Sequence, residues 1–98
     1  MIVLNNKESS EHPEQMEHKK SFEELFRMEI DAYCDYKVWR EETEDSILEM
    51  ALEEIMMDEY LHAKFLRDYL IDKDMYTISA DDPHEKKFWK IHRKIFQS

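Results

Sequence analysis

A chain of 98 residues has room for one small domain, which alone covers a limited share of its apolar surface, and self-association is a common remedy. With 42% apolar residues, 39% charged residues, no glycine and 2 prolines, tight β-hairpins are poorly supplied and an all-α fold is expected. A formal net charge of −10 argues against the phosphate attraction on which nucleic-acid-binding proteins rely, so no nucleic-acid partner is expected.

Taken in chain order, Met1–Leu4 is apolar but far shorter than a signal peptide's apolar core, and no stretch reaches membrane-spanning length. A soluble, cytoplasmic protein is the expectation. Residues 5–20 are almost wholly polar, so 1–20 read as a flexible tail in which His12 and His18 carry no assigned role. Ser21 with Glu24 fits a capping box and predicts a first helix to about Arg40. The acidic run Glu41–Asp45 reads as a turn, and Ser46 with Glu49 fits a second capping box opening a helix to about Ile71. So short a linker predicts that the helices of residues 21–71 fold back as an antiparallel hairpin. Within residues 72–98, a loop precedes Asp82-Pro83, an N-cap and an N1 proline that start a short third helix to about Phe96. That helix is basic and amphipathic, with Phe88, Trp89, Ile91 and Ile95 beside Lys86, Lys87, Lys90, Arg93 and Lys94. Such a helix can touch a membrane; docking onto the acidic hairpin explains it as well, and no membrane partner is expected.

Both long helices carry an apolar stripe broken by charge. Leu48, Leu52, Ile55, Glu59, His62, Leu66 and Tyr69 fall on one side of the second helix, and Phe22, Leu25, Phe26, Glu29, Ala32, Tyr33 and Tyr36 on one side of the first. A carboxylate in such a seam loses hydration and must be protonated, paired or bound to metal. Glu29 lies 11 residues before Arg40 and Glu59 lies 13 after Ser46. At about 1.5 Å per residue both sit roughly 16–20 Å from the turn, at one level of the hairpin. Glu59 and His62 are neighbours at i, i+3. Carboxylates with an imidazole suit iron, manganese or zinc. The plainer account is a buried Glu29–His62 ion pair in a metal-free interaction module.

Three ligands cannot hold a dinuclear centre. Bundle-core di-iron sites use a Glu from each of two helices and a Glu-x-x-His from each of two others, and this chain supplies half of that set. Two hairpins related by a twofold axis would supply the whole, which predicts a homodimer at minimum and a four-helix bundle.

At these residues the chain resembles the ferritin-like di-iron proteins. Met57-Asp58-Glu59-Tyr60-Leu61-His62-Ala63 is similar to the Asp-Glu-x-x-His-Ala signature of rubrerythrins. The half-length layout and the 30-residue interval from Glu29 to Glu59 resemble the encapsulated ferritin-like proteins, as do Glu29-Ile30-Asp31-Ala32, Tyr36 and Tyr69-Leu70. Over about residues 22–70 the resemblance implies a subunit-interface site oxidising Fe(II) with oxygen or peroxide, in which Glu59 bridges or chelates, Glu29 completes the carboxylates and His62 caps each metal. Ferroxidase chemistry with iron storage or detoxification is the expected activity, and rubrerythrin-like peroxidase chemistry the alternative. An encapsulin-type shell is a further partner the resemblance brings, but the chain ends in the basic helix where such relatives end in a short targeting peptide. The one cysteine, Cys34, rules out a rubredoxin-type iron site within the chain and reads as a small apolar filler.

Around the ligands, Tyr33, Tyr36 and Asp58 are candidates for a supporting shell, and Asp31 and Asp35, with Glu54, for a metal-access site. Packing aromatics and solvated helix surface are the plainer readings of the same residues. A weaker stripe of Ile30, Cys34, Val38, Met50, Met57 and Leu61 predicts either cover from the third helix or assembly of dimers into a larger homo-oligomer.

Overall fold

A computed structural model describes residues 13–97, which are helical and free of strands. Helix α1 spans Pro13–Glu42, α2 Ser46–Asp72 and α3 Pro83–Gln97. The first helix therefore begins at Pro13, and residues 13–20, expected as part of a tail, are helical. Proline is tolerated at a first helical position, and the Glu, Gln, Met and Lys that follow are good helix formers. Residues 1–12 and the side chain of His18 lie outside the described residues.

The expected box at Ser21 is thus interior to a helix. Its neighbour Glu23 turns to the loop before α3 instead, accepting hydrogen bonds from the Thr77 backbone N–H at 3.0 Å and hydroxyl at 2.9 Å. The second expected cap moves by one residue. Asp45 is the N-cap of α2, with extended backbone and a carboxylate that accepts from the N–H of Ile47 at 2.9 Å and of Leu48 at 3.1 Å. Aspartate caps as well as serine, and its charge suits the positive end of the helix dipole. Residues 43–45 alone join α1 to α2, so the two helices fold back on each other.

At the other end of α2 a chain without glycine needs a left-handed residue, and Asp74 serves with φ 57°. The N–H of Asp74 donates to Ile71 at 3.0 Å and that of Met75 to Leu70 at 2.7 Å, the paired bonds of a Schellman closure. The expected start of α3 is observed: Asp82 accepts from the His84 N–H at 2.7 Å and Pro83 is the first helical residue.

Helix α3 runs parallel to α1 and antiparallel to α2. Asp82 meets Arg27 and His84 meets Asp31 along α1, while Glu85 meets Arg67 and His92 meets Tyr60 along α2. It lies over one face of the hairpin and closes a core of Phe26, Ile30, Tyr33, Met56, Tyr60, Ala63, Ile78, Phe88 and Ile91.

That placement corrects the expected seam. The buried residues of α2 are Leu52, Met56, Tyr60, Ala63 and Leu70. At about 100° per residue they lie to one side of the predicted stripe, sharing only Leu52 with it. Leu48 is 47% exposed, and Ile55 and Tyr69 are each 38% exposed. The physical reason is that α3 contributes large side chains to one face, and both long helices turn their best-filled arc toward it. Phe26 and Tyr33 of the expected α1 stripe join this core, while Glu29, Glu59 and His62 lie beside the buried arc, away from α3.

Two of the ion pairs that dock α3, Arg27–Asp82 and Arg67–Glu85, run opposite to the expected basic-on-acidic sense, while His84–Asp31 follows it. The α3 acid, Glu85, is buried and meets Arg67 of α2 through two hydrogen bonds, Nε to Oε1 at 3.1 Å and an Nη to Oε2 at 2.7 Å. Tyr76 also donates its hydroxyl to Glu85, and Trp89 donates its ring N–H at 2.9 Å. The Arg67 guanidinium lies 5.1, 5.0 and 4.8 Å from the ring centres of Tyr76, Phe88 and Trp89.

Candidate metal centre

Glu29 of α1 and Glu59 and His62 of α2 converge on the uncovered face. Nδ1 of His62 lies 2.7 Å from Oε2 of Glu29 and 3.4 Å from Oε1 of Glu59. One ligand atom from each of the three lies within 4.8 Å of the others, a spacing that suits a shared cation. Their positions follow from local rules. The i, i+3 pair sits on one side of α2, and the short turn brings Glu29 to the same level on α1.

The two carboxylates are mostly covered and the imidazole is not: side-chain exposure is 21% for Glu29, 19% for Glu59 and 61% for His62. Loss of water around Glu59 raises its pKa, and the adjacent Glu29 charge adds to this, while His62 acts the other way. A partly dehydrated carboxylate held next to a second one is short of positive charge, which a divalent cation would supply. The donor set is therefore suited to iron, manganese or zinc.

Around the cluster the surface is apolar and open. Leu25, one turn before Glu29, is 42% exposed, and Ile55 stands one turn before Glu59. Leu66, one turn after His62, packs instead against the core under α3, and the Phe22 ring meets that of Tyr69 edge-on with centres 5.3 Å apart. Nearer the turn, Arg40 of α1 pairs with Glu53 of α2 at 3.3 Å and ties the two helices together.

The remaining candidates divide. Tyr33 belongs to the core under α3 and is 7% exposed, so it packs away from the cluster. Tyr36 is half-buried against that core and meets Trp39 edge-on, with ring centres 5.4 Å apart. Asp58 and Asp35 are exposed and form no ion pair among the described residues. Asp31 is engaged by His84 at 2.9 Å, which fixes it at the start of α3. None of these five is joined to the three ligands by a described hydrogen bond.

Sequence reasoning missed a contact beside the site. Tyr60, inside the Glu-x-x-His element, is buried, and its hydroxyl lies 2.6 Å from Nδ1 of His92. Burial raises the Tyr60 pKa. The aromatic run of α3 hinted at packing, but only the antiparallel placement of α3 on α2 pairs these two residues.

No helix among the described residues is long and apolar enough to cross a membrane. No family model, characterised protein or solved structure matches the chain. The chemistry of the site thus rests on its own residues.

Proposed function

We propose that the chain is half of a carboxylate-bridged metal protein, in which two copies pack open face to open face as a four-helix bundle and oxidise Fe(II). The observation that carries this reading is the convergence of Glu29, Glu59 and His62 beside exposed apolar side chains that no other described residue covers. Ligand counting supports the second copy: a dinuclear bundle site needs two such sets. An isologous pairing presents the same three residues twice across a twofold axis.

Iron bound there would supply electrons to oxygen or peroxide. The residues of the chain do the rest. Glu29 and Glu59 would provide negative charge to hold the cations. His62 presents Nδ1 to the same point and sets the direction of approach. Leu25 and Ile55 would exclude water once a second copy lies on them, which strengthens the hold of the carboxylates. Manganese and zinc fit the same donors.

A second reading is favoured by one distance. At 2.7 Å, Glu29 already has a partner in His62, so a metal-free dimerisation module could satisfy its seam charge. Anaerobic titration with Fe(II), followed by air, separates the two. The metal reading expects about one iron per chain and a ferric absorbance rising quickly, with both lost in Glu59→Ala and His62→Ala. Equal, slow oxidation by wild type and variants would end it. The metal-free module instead expects Glu29→Leu with Glu59→Leu to tighten the dimer.

A further inference from the structure

On the α3 side of the hairpin lies a cleft of about 320 Å³ that the metal site does not use. Its walls are Tyr33, Cys34 and Lys37 of α1 with Lys87, Lys90, Ile91 and Lys94 of α3. The size falls within the range of small-ligand pockets. Its composition is unusual for this chain, which has 24 acidic and 14 basic residues. Four lysines surround the cleft and no acid lines it.

The charge arrangement is built by two elements. Lys87, Lys90 and Lys94 stand at i, i+3 and i+7 on one side of α3, where like charges repel along the helix. The facing position on α1 is another lysine, Lys37, whose one ion pair among the described residues is with its own neighbour Glu41 at 3.4 Å. Lys87, Lys90 and Lys94 form no ion pair among the described residues. The floor beneath these ammonium groups is apolar, formed by the Tyr33 ring, the Cys34 side chain and Ile91. Charge that helix docking would ordinarily neutralise is left concentrated at the rim of an apolar hollow.

We propose that this cleft binds a small organic anion with an apolar body, a carboxylate or phosphate head seated among Lys37, Lys87, Lys90 and Lys94 and its hydrocarbon part on Tyr33, Cys34 and Ile91. The head gains charge-assisted hydrogen bonds, and the body removes apolar surface from water. A cation or an uncharged polar molecule matches neither half.

Calorimetric titration of the full-length chain with sodium decanoate, kept below its micelle-forming concentration, tests this directly. One saturable site per chain is expected, and N-ethylmaleimide should alkylate Cys34, the chain's one cysteine, more slowly along the same saturation curve. Lys87→Glu with Lys94→Glu should weaken binding by about tenfold or more, while Lys90→Gln alone weakens it less. Decyl phosphate should bind as decanoate does, and decyltrimethylammonium should not bind. Absence of saturable binding would overturn the proposal. So would equal binding of the cationic amphiphile, unchanged binding in the double variant with its helical circular dichroism intact, or decanoate binding that leaves Cys34 alkylation untouched.

Discussion

The two faces of the hairpin are made from the same helices and differ in what they hold. On one, α3 buries Phe88 and Ile91 and sets an acid, Glu85, into a complete ring of donors. On the other, two acids share one exposed imidazole, flanked by Leu25 and Ile55. The buried acid of the covered face has met its polar needs within the chain. The open face has the composition of a core and only part of the partners a core requires, which is why it reads as a surface awaiting both cation and second copy.

The largest expected difference between the faces is in stability. Arg67→Ala leaves Glu85 buried with a charge and without its main partner, and truncating one member of a buried pair costs about 3–5 kcal/mol. Urea unfolding should show most of that loss. Glu59→Gln, by contrast, should leave the metal-free chain as stable as before or slightly more so, since it removes repulsion from Glu29. Equal losses in the two variants would erase the distinction between a finished face and an open one.

The next effect is on association. Ile55→Glu places a charge in the apolar ring on the open face, where it costs the monomer little because Ile55 is already 38% exposed. Sedimentation should show the proposed dimer weakened by about 2 kcal/mol, on the order of thirtyfold in dissociation constant, with the helical signal unchanged. Trp89→Ala should instead lower the melting temperature without the same loss of dimer, because Trp89 serves the α3 anchor.

Acid should act on the faces with opposite sign. Burial would raise the Glu85 pKa, but hydrogen bonds from Arg67, Tyr76 and Trp89 outweigh it and hold the carboxyl below its ordinary value. Its contribution is present above the unfolded carboxylate pKa of about 4.3 and is lost as pH falls through the lower folded value. Glu59, with a raised pKa, contributes in reverse: its term is present below the unfolded value and is lost as pH rises through the folded one. Urea midpoints of the metal-free chain from roughly pH 3 to 7 should therefore lose acid sensitivity in Glu85→Gln and gain it in Glu59→Gln.

Much of the architecture could be read from residue order. The three helices, the tight reversal and the Asp82-Pro83 start of α3 follow from short-range chemistry, and so does the level at which Glu29 meets Glu59. Other features depended on contacts between residues far apart. The buried arc of α2 could not be told from the charged stripe beside it, because Leu52, Met56, Tyr60 and Ala63 repeat with nearly the same period as Leu48, Ile55, Glu59 and His62. Only the position of α3 decides between them. Glu85 looked like one acid in a basic helix, and its role appears only when Arg67 and Tyr76 reach it from elsewhere in the chain. Tyr33 shared a stripe with Glu29, yet Phe88 and Ile91 claim it for the core.

The smallest expected effect lies at the join that lets α3 return to the hairpin. Asp74 holds φ 57° to end α2, a conformation that carries a steric cost for a residue with a Cβ and that aspartate tolerates better than most. Asp74→Gly removes that strain but gives the unfolded chain more freedom to lose, so the two terms oppose each other. In the left-handed region the steric term is larger, and a net gain of about 0.5 kcal/mol is expected in urea unfolding. Asp74→Val makes the opposite case, since a β-branched side chain is strongly disfavoured at positive φ, and should destabilise by about 1–2 kcal/mol. Because the closure bonds from Asp74 and Met75 are made by backbone N–H groups, both variants keep them available, and the difference between the variants isolates the conformational term. If the valine variant matches wild type, the turn must adopt another geometry in solution, and the path that carries α3 onto the covered face would have to be redrawn.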